Sequence, residues 1–270
     1  MMRKKLKSRG LLIPALFLIL LGLCSCGDDP APVEKVKGPP KPKSLKYEVV
    51  ETMPHDTTAF TQGLLWYEGF FYESTGGYGR STLRKVDPKT GKVLQNKKLP
   101  DNVFGEGLTM REGLLYQLDW KSGRGFIYNR ETLEEVKRFR YFGEGWGLAW
   151  TGEQFVLSDG THHLRFLNPQ TMKMVRSVKV RNHQGKVDQL NELEFINGKI
   201  YANRWHFDEI VIIDPKSGFV EATIDLKELE QPRPSHSEAV LNGIAHDPKS
   251  GLLYVTGKGW PRMYGLRLSE

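Results

Sequence analysis

From Phe60 onward, short apolar and β-branched runs alternate with clusters of Gly, Pro, Asn and Asp. This punctuation predicts strands joined by tight turns. In the first repeat, Gly63-Leu64-Leu65-Trp66 reads as one strand, Glu68-Gly69 as a two-residue turn and Phe70 to Ser74 as the returning strand. Ser81 to Val86 makes a third strand, and Asp87-Pro88-Lys89-Thr90-Gly91 turns into a fourth that opens with Lys92-Val93-Leu94. Pro in the second position and Gly at the end suit a turn. The turn recurs as Asn129-Arg130-Glu131-Thr132, Asn168-Pro169-Gln170-Thr171 and Asp214-Pro215-Lys216-Ser217-Gly218, so the Asp and Asn that open it are structural. Asp247-Pro248-Lys249-Ser250-Gly251 looks alike but lies inside the first hairpin of the last repeat, lengthening it by two residues.

The repeat heads are themselves similar. Gln62-Gly63-Leu64, Gly105-Glu106-Gly107-Leu108, Trp146-Gly147-Leu148, Asn191-Glu192-Leu193 and Asn242-Gly243-Ile244 follow one another at spacings of 44, 40, 45 and 51 residues. A period of roughly 40 to 50 residues filled with short strands indicates a propeller. The last repeat shows only three strands, Asn242 to His246, Leu252 to Thr256 and Met263 to Leu268. An unassigned strand, Lys46 to Met53, precedes the first head and is predicted to complete that blade, which closes the ring without an exposed edge. The expected fold is an all-β, five-bladed propeller.

Equivalent positions in radially arranged blades converge on one axis, which predicts a pocket ringed by Gln62, Glu106, Trp146, Asn191 and Asn242. A second ring follows at a fixed offset of 14 residues, giving Trp120 and Trp205, with glycines at 76 and 160. In the last repeat the offset is 16, and the two extra hairpin residues bring Lys258 into register. The longer connections at 182–188 and 227–240 lead back to inner strands on the same side and read as either lids or slack.

The formal net charge of +7 narrows on inspection, because Arg3, Lys4, Lys5, Lys7 and Arg9 supply five of those charges ahead of any acidic residue. The remainder holds no basic patch, which argues against nucleic-acid binding. Those charges precede an apolar run from Leu11 to Leu23, the pattern of an export signal and short for a membrane span. Leu23-Cys24-Ser25-Cys26 resembles a bacterial lipobox, so residues 1–25 are predicted to be a signal peptide and Cys26 the lipidated first residue. The alternative is an uncleaved anchor or an ordinary secretory signal. Residues 26–45, rich in Pro and Lys, read as a tether, and 46–270 as the propeller. With Cys26 lipidated, no cysteine remains for a disulfide, a metal or a nucleophile.

Together the two rings supply one carboxylate, one ammonium, three amides and three indoles, the furnishing of an apolar pocket with a few convergent polar groups. Among indoles a carboxyl is desolvated, which raises its pKa toward general acid/base values. Lys258 opposes that shift, and the balance is open at this level. Asn242 reads as a residue that satisfies backbone groups at the strand end. No Gly-x-Ser-x-Gly elbow occurs, and Ser158-Asp159 lacks the context of a triad. His162 and His163, on a strand, would face opposite sides.

Phe60-Thr61-Gln62-Gly63, Phe104-Gly105-Glu106-Gly107, Gly145-Trp146-Gly147-Leu148, Leu190-Asn191-Glu192-Leu193-Glu194 and Asn242-Gly243-Ile244-Ala245 together resemble the plant and bacterial type of glutaminyl cyclase. The likeness runs from Tyr47 to Leu268. It implies a five-bladed propeller, an aminoacyltransferase that converts N-terminal glutaminyl residues of peptides and proteins to pyroglutamyl residues with release of ammonia. By that resemblance Glu106 is the acid/base carboxylate, Gln62, Asn191 and Lys258 are polar catalytic residues, and Phe60, Phe104, Trp120, Trp146 and Trp205 form the aromatic wall. Gly105 stands where the plant form has a larger residue. No cofactor is implied for catalysis, though oxygen ligands around an axis suit calcium as a structural ion.

Two rivals stand beside this reading. One is a lactonase-like propeller in which Glu106, Asn191 and Asn242 bind a divalent cation; the other is a non-enzymatic lipoprotein that binds envelope proteins at its mouth. The expected partners are Gln-initiated peptides or proteins, with the membrane engaged through a lipid anchor only and the protein monomeric. The expected location is the bacterial envelope, facing the periplasm or the outer surface.

Overall fold

The computed structural model describes residues 38–230 and 233–270, and every regular element among them is a strand. The expected signal peptide and Cys26 lie outside the described residues, as does the tether up to residue 37. The first strand is β1 (Lys43–Pro54). Blade one contains β2 (Thr61–Tyr67), β3 (Phe70–Thr75), β4 (Thr82–Val86) and β5 (Val93–Lys98). Blade two contains β6 (Gly105–Arg111), β7 (Leu114–Asp119), β8 (Arg124–Asn129) and β9 (Glu135–Arg140). Blade three contains β10 (Leu148–Trp150), β11 (Phe155–Leu157), β12 (His163–Leu167) and β13 (Met174–Lys179). A small hairpin, β14 (Arg181–Asn182) with β15 (Gly185–Lys186), occupies the first of the two longer connections. Blade four contains β16 (Leu190–Ile196), β17 (Lys199–Arg204), β18 (Glu209–Ile213) and β19 (Val220–Asp225). Blade five is built from β20 (Leu241–His246), β21 (Leu253–Gly257) and β22 (Arg262–Ser269), completed by β1.

Neighbours in sequence pair antiparallel within each blade, and the inner strands touch in the cyclic order β2, β6, β10, β16, β20 and back to β2. This is a closed five-bladed propeller. Burial follows the radius. The second strands β3, β7, β11 and β21 are almost wholly buried, while the outer strands β5, β9 and β13 expose most of their residues. The apolar core accordingly divides into five clusters among the described residues, one at each boundary between blades.

The closing strand is longer than the sequence pattern predicts. Lys46 to Pro54 pair antiparallel with β22, with a bulge between Val49 and Glu51, and Lys43 to Leu45 pair parallel with β19 of blade four. The last three residues of the expected tether therefore belong to the sheet.

Around the axis, the head glycines serve close approach. A Cβ on Gly63 would lie 2.5 Å from the Leu108 nitrogen, one on Gly107 would lie 2.5 Å from the Leu148 nitrogen, and one on Gly147 would strike the Asn191 carbonyl. Gly107 N–H donates to Trp146 O across the boundary at 2.7 Å. Blade four breaks the series with Glu192, which is fully buried. Its two carboxyl oxygens accept the Leu64 N–H at 3.3 Å and the Ile244 N–H at 2.9 Å, tying blade four to blades one and five.

Candidate active site

Four of the five inner strands share an irregularity at their heads. The ladder passes from Thr61 to Gly63 in β2, from Gly105 to Leu108 in β6, from Leu190 to Leu193 in β16 and from Leu241 to Ile244 in β20. Gln62, Glu106, Asn191 and Asn242 thus lie where pairing is interrupted, and a bulge re-aims the side chain it frees. In blade three, β10 begins only at Leu148, so Trp146 also precedes the ladder.

Gln62, Glu106 and Asn191 line one cavity of about 350 Å³ with Lys258, Phe60, Phe104, Trp120, Trp146 and Trp205. All the side chains named from the resemblance are brought together there. Asn242 is not on the wall. It is buried behind Gln62, donating its side-chain N–H to Thr61 O at 2.9 Å and to Gln62 Oε1 at 3.1 Å. The Gln62 carbonyl is therefore taken, and its amide N–H₂ is left for the cavity.

Aromatic rings make the walls. Phe60 meets Phe104 edge to face at 6.3 Å, Phe104 tilts against Trp120 at 5.3 Å, and Trp146 meets Trp205 edge to face at 5.6 Å. The second-ring glycines make room for these side chains: a Cβ on Gly76 would strike the Phe104 ring, and one on Gly160, whose φ is +79°, would lie 2.7 Å from the Trp146 ring.

Glu106 is 4% exposed, and its Oε2 is buried without a protein partner. Burial raises its pKa well above the carboxylate range; the Lys258 charge opposes the shift, and Glu144 and Asp119 reinforce it. Burial thus outweighs the lysine. Lys258 is displaced in the opposite sense, its pKa lowered by burial against the charges of Glu106 and Glu238. Its Nζ lies 4.7 Å from the Phe60 ring centroid, a cation–π contact. Asn191 Oδ1 is likewise buried and has no protein partner.

Three acidic or basic side chains at this mouth escape a repeat-based reading. Glu144 Oε2 accepts the indole N–H of Trp120 at 3.1 Å and that of Trp146 at 3.2 Å. Glu238 Oε2 accepts the Trp205 N–H at 3.3 Å, and Arg80 and Glu238 line the cavity. All three residues sit in connections between strands, where repeat register is lost. Of the two longer connections, 227–240 reaches the cavity through Glu238, whereas no residue of 182–188 lines it.

His162 lies in the turn before β12, and its ring is 4.1 Å from that of His163. The expectation of opposite faces is corrected, because only His163 is in the strand. Among the described residues no three His, Cys, Asp or Glu side chains gather as a metal site. Both oxygens of axial Glu192 face backbone amides.

A sequence-family model described as glutamine cyclotransferase matches residues 18–268. A glutaminyl-peptide cyclotransferase of Arabidopsis thaliana is 44% identical over 229 residues, covering 83% of this chain and 71% of that one. The crystal structure of Myxococcus xanthus glutaminyl cyclase superposes with a TM-score of 0.80 at 38% identity, covering 85% of this chain and 99% of the other.

Proposed function

The chain belongs to the glutamine cyclotransferase family, and we propose that it cyclises N-terminal glutaminyl residues of peptides and proteins to pyroglutamyl residues, with Glu106 as the single acid/base group. The observation that carries this reading is a buried carboxyl with an unpartnered oxygen in a largely aromatic cavity. In the reaction, the neutral α-amine attacks the side-chain amide carbon. The Glu106 carboxylate takes a proton from the α-nitrogen as the new C–N bond forms, and returns it to the side-chain nitrogen as the old C–N bond breaks. The products are the lactam and ammonia. A raised pKa suits both halves of this exchange, since a strongly acidic carboxyl would not hold the proton in between.

The other polar groups divide the remaining work. Lys258 and the free N–H₂ of Gln62 face the carbonyl oxygen as charge develops on it. Asn191 Oδ1 accepts an N–H from the attacking amine and fixes its direction. The rings hold the side chain folded toward its own amine, which replaces a loss of freedom the reaction would otherwise meet at the barrier. The reaction written this way needs no cofactor.

The reading extends to the N-terminus and the assembly. A basic segment, an apolar run and Leu23-Cys24-Ser25-Cys26 support export with lipidation at Cys26, which holds the enzyme at the bacterial envelope facing the periplasm or outer surface. A monomer suffices, since one chain supplies the whole pocket. The test is to incubate the purified protein with a Gln-initiated dipeptide and measure ammonia and pyroglutamate. Absence of both, with folded protein, rejects the activity.

A further inference from the structure

Glu144 is the only carboxylate of the described mouth whose single oxygen serves two wall indoles, and the two belong to different blades. Trp120 follows β7 of blade two, Trp146 heads blade three, and Glu144 lies in the connection from β9 to β10. The connection itself is clamped. Arg165 of β12 donates to the carbonyls of Phe142 and Glu144 and pairs with Asp159 at 3.4 Å. Gly145 permits the tight path, since a Cβ there would lie 2.7 Å from the Tyr141 hydroxyl. Trp120 is further covered by Lys121, whose Nζ is 3.9 Å from its ring centroid. An anionic acceptor holds an N–H more firmly than a neutral one, so one fixed oxygen determines how both indoles stand.

We propose that Glu144 is a positioning residue for the cyclisation: its carboxylate sets the angle between the Trp120 and Trp146 walls that clasp the glutaminyl side chain. This rests on the functional reading above. With both indole N–H groups turned outward to Glu144, these walls offer the substrate only ring surface, and the polar contacts fall to Gln62, Glu106, Asn191 and Lys258. Glu144 also adds a negative charge to the surroundings of Glu106, alongside Asp119 and opposite Lys258.

Two variants separate the roles. Glu144→Leu removes the acceptor, and Glu144→Gln keeps one oxygen for the indoles but removes the charge. For Glu144→Leu the expected result is a KM about tenfold higher with kcat changed less than about threefold, the pattern of lost binding contacts. Its tryptophan emission shifts, and acrylamide quenches it more readily. For Glu144→Gln the expected result is wild-type emission and a KM within about threefold. Its acid limb of kcat/KM moves to lower pH, because a charge that raises the Glu106 pKa is gone. Glu144→Leu with wild-type KM and emission overturns the proposal, as does Glu144→Gln with a tenfold rise in KM at unchanged emission. Glu144→Gln decides alone if the leucine variant does not fold. The emission and quenching measurements need no turnover, so they report on Glu144 even if the wild-type protein releases no ammonia and the functional reading fails.

Discussion

Asn242 holds Gln62 by its side-chain carbonyl at 3.1 Å, so a residue off the cavity wall decides which end of a wall amide meets substrate. Removing that hold frees Gln62 to present either its oxygen or its N–H₂. Asn242→Ala is expected to lower kcat/KM by about tenfold, one hydrogen bond's worth of orientation. Steady-state kinetics with a Gln-initiated dipeptide checks this, and a wild-type rate means that Gln62 is oriented by other contacts.

Activity should depend on pH at both ends through Glu106 and Lys258. Burial raises the Glu106 pKa, so the carboxylate form needed to accept a proton appears only well above the usual carboxylate range. The rate therefore falls on the acid side earlier than an exposed Glu would make it fall. Burial lowers the Lys258 pKa, so its ammonium is lost below the ordinary lysine value of 10.5 and the alkaline limb begins early. Lys258→Arg, with a guanidinium that stays charged, is expected to carry that limb upward. Glu106→Gln is expected to lower kcat by about a hundredfold to ten-thousandfold, the range of general acid/base contributions.

A buried pair near the ring closure governs stability. His55 Nε2 lies 2.9 Å from Glu73 Oε1, and His55 Nδ1 meets Trp260 O at 2.7 Å. Burial pulls the His55 pKa down, but the Glu73 charge and hydrogen bonds raise it overall above 6.5. Burial pushes the Glu73 pKa up, but the His55 and Arg84 charges and hydrogen bonds bring it below 4.5. The histidine's contribution is full below pH 6.5 and is lost as pH rises through its folded value; the glutamate's is full above pH 4.5 and is lost as pH falls through its own. Stability from this pair is thus greatest between those two values. His55→Leu is expected to cost about 1–3 kcal/mol within that window, by removing the nearer cation from the buried Glu73 carboxylate and leaving it Arg84 at 3.9 Å and the Thr61 hydroxyl. Urea unfolding as a function of pH measures it.

Gly107→Ala tests the spacing of the inner strands. The new methyl would press on the Leu148 amide and the Trp146 carbonyl, and overpacking of this kind costs about 1–3 kcal/mol. A variant with the urea midpoint of the wild type would show that blades two and three have slack at the axis.

The blade count, the closing strand and the pocket ring are legible in the sequence because they rest on repetition: Gln62, Glu106, Trp146 and Asn191 are found by their equivalence. Glu144 and Glu238 are not, since each stands once, in a connection without a counterpart. The head bulges are equally hidden, because a ladder interruption leaves no mark on hydrophobic alternation. Glu192 is visible in the sequence as part of a head, but its place among glycines acquires meaning only when five strands surround one axis. The balance between Glu106 and Lys258 needed burial, which composition does not supply.

The closing strand bears on how the molecule comes into being. Lys43 touches Glu270 at 2.6 Å, and β1 lies between β19 and β22. Of the described strands a ribosome makes β1 first and its antiparallel partner β22 last, so that pairing waits until every other strand has been made. Blade five exists only once both ends of the ring have emerged. Lys258 belongs to that blade and Glu106 to the second, so a nascent or truncated chain has its acid without its facing cation.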